Sequence, residues 1–75
     1  MPRPRGVAPD VERLRRAMTL RGLDAHRLAE ASGLSRRVVE KAMSGGRVEP
    51  ATIAAIGMVL DQVAASPATA ELLQP

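Results

Sequence analysis

The chain has 75 residues, no cysteine and no aromatic residue, and a formal net charge of +3. That length suits one domain, which buries only about 60% of the surface its unfolded chain would expose. The composition excludes disulfides and thiolate metal sites, and no apolar run nears the ~20 residues of a membrane span. With 13 alanines, the core must come from Leu, Val, Ile and Met, with alanine letting helices approach closely. Dimerisation would supplement so small a core.

Charge is uneven along the chain. Residues 1–37 carry nine arginines against four acids, whereas residues 38–75 carry Lys41 and Arg47 against four acids. A basic half beside an acidic half suits either a polyanion-binding face or ordinary solvated surface. Arg3 and Arg5 have no apolar stretch behind them, so no signal peptide is expected and the cytosol is the default location.

Residues 1–9 hold three prolines and a glycine and predict a flexible arm ahead of a domain over residues 10–75. Asp10 is the expected N-cap of a first helix, with Val11, Leu14 and Met18 on one face and Gly22 as its stop. Asp24 caps a second helix, with Leu23 and Leu28 placed as a hydrophobic staple and Gly33 ending it. The device repeats at once, with Ser35 as cap, Leu34 and Val39 as staple, and Val39 and Ala42 facing inward. Gly45-Gly46 breaks this third helix. Residues 47–49 read as a connection, and Pro50 suits the first turn of a fourth helix with Ile53, Ile56, Leu60 and Val63 on one side. Ser66-Pro67 opens a short last helix through Leu73. No segment alternates with period two beside a hairpin turn, so no sheet is expected.

The informative stretch is Leu28 to Ala42, two short helices joined by the minimal turn Ser32-Gly33-Leu34-Ser35. Leu28, Leu34, Val39 and Ala42 fill the angle between them, and Ala29 sits where they meet. Arg36, Arg37, Glu40 and Lys41 occupy the outward positions of the second, a rod of the right width for the DNA major groove.

Leu28-Ala29, Gly33-Leu34-Ser35, Val39 and Ala42 match the helix-turn-helix spacing. The run from Leu14 to Leu60, through Arg21-Gly22-Leu23, Ser44-Gly45 and Pro50, resembles the five-helix DNA-binding domain of the phage repressor and Cro-like family. The segment Met43 to Glu49 is also similar to the headpiece of sugar-responsive bacterial repressors. The resemblance implies an all-α, lambda-repressor-like bundle that binds double-stranded DNA as a homodimer and regulates transcription. Where the family often places a DNA-touching Gln, this chain has Ala25, so His26 or Arg27 would take that contact. It also has Ser32 where the family favours a large apolar residue, and Met43 where it favours Glu.

Each candidate has a plainer alternative. Arg36 and Arg37 would donate to guanine or clamp phosphate; otherwise they are a solvated face. Glu40 could accept from cytosine, or pair with Arg36 one turn back. Lys41 and Arg47 would meet phosphate. Ser35 could add a phosphate contact beyond its capping role, and His26 is either a contact or an ordinary exposed histidine. Arg3 and Arg5 could lie in a minor groove or make no contact. Met58, with Ala51, Ala55 and Leu72-Leu73, could form a dimer face, or be a lone exposed methionine.

No paired carboxylates, serine–histidine pair or phosphate loop points to catalysis, and no cofactor or metal is expected. The alternative from another class is a protein-interaction module on the same fold: an antitoxin, an adaptor, or a factor binding the transcription machinery.

Overall fold

Four of the five helices begin on a short polar side chain that accepts a hydrogen bond from the first turn, and these bonds divide the chain. In the computed structural model, which describes residues 6–74, the order is α1 (Val11–Leu20), α2 (Ala25–Ser32), α3 (Arg36–Met43), α4 (Pro50–Gln62) and α5 (Pro67–Leu73). Asp10 accepts from the Arg13 amide at 3.1 Å, Asp24 from the Arg27 amide at 2.7 Å, and Ser35 from the Val38 amide at 3.2 Å. Ser66 does the same for Thr69 at 3.2 Å. Each bond satisfies one of the amides a helix start leaves without a partner. α4 lacks such a cap and starts instead on Pro50, which has no amide hydrogen to satisfy.

The helix ends are equally local. After α1 the Leu23 amide donates to the Met18 carbonyl at 2.9 Å and the Gly22 amide to Thr19 at 3.1 Å. After α3 the Gly46 and Gly45 amides donate to Lys41 and Ala42 at 2.9 and 3.1 Å. This paired closure consumes carbonyls that would otherwise be left open. α2 ends on Gly33 at φ +74°, a conformation that side-chain-bearing residues resist. Only Leu34 and Ser35 then separate the chain from α3.

The described residues form an all-α bundle in which α2 packs on α3 and α4, and α1 on α3 and α5. Its core is Leu14, Met18, Leu28, Ala29, Val39, Ala42, Val48, Ile56 and Val59. Leu28 and Val39 are fully enclosed, each contributing about 1.5–3 kcal/mol relative to exposure. No charged or polar residue is buried, and no buried side-chain polar atom lacks a partner, among the described residues. Leu23, Leu34, Ile53, Leu60 and Val63 pack around this centre half-buried.

Two core residues were not expected. α4 buries Ile56, as expected, but adds Val59 and leaves Ile53, Leu60 and Val63 half-buried. Val48, read as part of a connection, is buried in the core, and its backbone forms an isolated antiparallel bridge with Val7. This pair is no sheet, but it alters the expectation of a flexible arm over residues 1–9. Residues 6 and 7 lie against the α3–α4 loop, while Arg3 and Arg5 fall outside the described residues. Among the described residues no single helix is long and apolar enough to cross a membrane.

Candidate nucleic-acid interface

α3 is two turns long and divides cleanly. Val39 and Ala42 have no exposure at all, and Val38 and Met43 flank them half-buried. At 3.6 residues per turn, Arg36, Glu40, Arg37 and Lys41 share an arc of about 140° on the other side. All four are exposed. Leu28 of α2 lies in the same core as Val39 and Ala42, so the inner face is held and the outer one is left to solvent.

The outer side chains are not equivalent. The Arg36 Nε donates to Glu40 Oε1 at 2.8 Å, with the two side chains 66% and 54% exposed. An exposed pair of this kind stabilises by only about 0.2–1 kcal/mol. Its effect is orientational, since it settles the guanidinium along the helix and occupies the Glu40 carboxylate. Of the two readings of Glu40, the structure displays the pairing. Arg37 and Lys41 make no side-chain hydrogen bond or ion pair among the described residues. Ser35 spends its hydroxyl as an acceptor on the Val38 amide.

α2, which packs on α3, carries two more of the expected site residues. His26 Nε2 lies 2.9 Å from Glu30 Oε1 one turn on, and both side chains are exposed. The Arg27 guanidinium turns back to the Gly22 carbonyl at 3.5 Å. Asp24 caps the same helix. The Arg27 amide hydrogen bond, above all, holds its carboxyl below the usual aspartate range, assisted by the charges of Arg27, His26 and Arg36. Partial desolvation opposes the shift. α2 packs directly on α3, and the charge of Arg36 is the smallest of these influences on Asp24.

Lys41 and Arg47 come together at the far end of α3. Both line a recess of about 260 Å³ with Gly6, Val38, Val48, Glu49 and Thr52. The Arg47 guanidinium donates to the Gly6 carbonyl at 3.3 Å. Neither that carbonyl nor Glu49 and Thr52 was anticipated; the only trace in the sequence is a valine beside a glycine or arginine in each partner segment.

The basic half of the chain proves less uniform than its charge count implies. Arg21 donates from Nε to the Leu60 carbonyl at 2.7 Å and from Nη1 to Ala17 at 2.9 Å. Arg15 reaches the Met43 carbonyl at the end of α3, 3.2 Å away, and Arg13 stands 3.7 Å from Asp10. Arg21 and Arg15 place positive charge where helix C-termini leave carbonyls unsatisfied. These bonds tie α1 to the ends of α3 and α4.

No family model matches the chain, and no curated protein or solved structure matches it.

Proposed function

We propose that the chain binds double-stranded DNA sequence-specifically, as a helix-turn-helix transcriptional regulator of the phage repressor and Cro-like type, with α3 in the major groove. The observation that carries this reading is the division of α3: one side sealed into the core by Val39 and Ala42, the other offering Arg36, Arg37, Glu40 and Lys41 to solvent. Arg37 is the candidate for bidentate donation to a guanine edge, and Arg36, oriented by Glu40, is its neighbour. His26, Arg27, Lys41 and Arg47 supply phosphate contacts at the two ends of the helix, where they fix register rather than read bases.

One such helix reads few base pairs. A homodimer with its two α3 helices about 34 Å apart would read a palindrome on one side of the duplex. A cytoplasmic location, on the nucleoid when bound, goes with this proposal.

The test is selection of bound duplexes from a random library, followed by binding of Arg36→Ala/Arg37→Ala to the selected site. The double variant should lose site-specific binding and keep its helical circular-dichroism spectrum. Undiminished affinity for the selected site in that variant would refute the proposal.

A second reading is a protein-interaction module. It rests on Met58, 62% exposed, beside a groove of about 140 Å³ whose other lining residues are Ala31, Ser32, Ala55, Val59 and Gln62, none of them charged. Salt separates the two: DNA affinity falls steeply with ionic strength, whereas association across an uncharged groove does not.

A further inference from the structure

The segment before α1 is held against the α3–α4 loop more closely than a casual surface contact requires. The Val7 amide donates to the Val48 carbonyl at 2.8 Å, and the Val48 amide returns the bond to Val7 at 3.0 Å. One residue earlier, the Gly6 carbonyl accepts from the Arg47 guanidinium at 3.3 Å. Gly6 has φ +92°, and a Cβ there would stand 2.7 Å from the Val48 carbonyl oxygen. Only glycine combines that conformation with that approach. Val48 is buried in the core while Arg47, its neighbour, stays exposed in the recess shared with Lys41.

We propose that Gly6 and Val7 form a strap that aims Arg47, beside Lys41, at one phosphate of the bound duplex. This rests on the DNA-binding reading and adds to it the residues that position a contact. A free arginine side chain loses rotamer entropy on being fixed. The Gly6 carbonyl takes one of five guanidinium donors and leaves the rest for a phosphate. Part of the ordering cost is thereby met before binding. Glu49 lines the same recess, but two cations outweigh its single negative charge.

Val7→Pro removes the amide donor to Val48, and Gly6→Ala places a Cβ on the Val48 carbonyl; neither changes a charge. Both are made in the full chain, so Arg3 and Arg5 remain. Affinity for the selected duplex is measured by anisotropy between 50 and 200 mM salt, with helicity checked by circular dichroism. Loss of one neutralised phosphate lowers the slope of log affinity against log salt by about 0.9, equivalent to about 15-fold weaker binding at 50 mM and about 4-fold at 200 mM. Arg47→Ala should show the same change, and combining it with Val7→Pro should add nothing. A strap that merely stabilises the fold would lower the melting temperature and leave the slope of the folded protein untouched. Wild-type slopes in folded Val7→Pro and Gly6→Ala, or losses that add to that of Arg47→Ala, overturn the proposal and leave DNA binding standing. Absence of salt-dependent duplex binding by the unaltered chain overturns both.

Discussion

Replacing Gly33 by alanine isolates the backbone requirement of the α2–α3 turn, because a Cβ at that position would meet no atom within 4 Å. No clash contributes, so the whole effect comes from holding an L-residue at φ +74°. That conformation costs roughly 1–2 kcal/mol for a residue with a Cβ. Alanine also restricts the unfolded chain, which offsets part of the loss by about 0.4–1 kcal/mol. The net expectation is destabilisation of about 1 kcal/mol, or about 4–8 °C in Tm for a domain of this size. Gly33→Asn should cost less than Gly33→Ala, since asparagine tolerates the left-handed region better. With no Trp or Tyr in the chain, intrinsic fluorescence offers no probe, so urea unfolding is followed by far-ultraviolet circular dichroism. The midpoint should move while the slope against urea stays constant, because the surface exposed on unfolding is unchanged. An alanine variant as stable as the parent, or an asparagine variant no better than alanine, would refute the reasoning.

Arg21→Ala removes two charged hydrogen bonds to helix carbonyls and should lower unfolding stability by about 1.5–3 kcal/mol in urea titrations, with DNA affinity unchanged at temperatures where it is folded. Arg37→Ala should do the reverse, shifting stability by less than about 0.5 kcal/mol while weakening site-specific binding about 10-fold or more in competition against unrelated duplex. Asp24 has a depressed carboxyl pKa, so its contribution is complete above the ordinary aspartate range and is lost as pH falls through the lower folded-state value. Asp24→Asn keeps a capping oxygen without the titration, so Tm measured by circular dichroism should fall less steeply on acidification than in the parent.

Much of the fold is legible residue by residue. The caps Asp10, Asp24, Ser35 and Ser66, the stops at Gly22, Gly33 and Gly45, and Pro50 at the start of α4 were all expected where they occur. The enclosure of Leu28, Val39 and Ala42 follows from the same periodicity that turns Arg36, Arg37, Glu40 and Lys41 outward. The Arg36–Glu40 pair was legible too, being a one-turn neighbour interaction. The distant partners of Arg15, Arg21 and Arg47 were not, because the carbonyls of Met43, Leu60 and Gly6 each lie 28 or more residues away in the chain.

Local chemistry therefore settles where each helix starts and stops and, for α2 and α3, which side of it turns inward, because capping, glycine conformation and helical spacing act over a few neighbouring residues. Which arginines brace the bundle was decided only when α1 met the ends of α3 and α4. The same holds for Val7 and Val48, an ordinary pair of valines until packing brings two remote segments within hydrogen-bonding distance. A long side chain reads the same in sequence whether it ends on a distant carbonyl or in water, and only chain packing supplies that carbonyl.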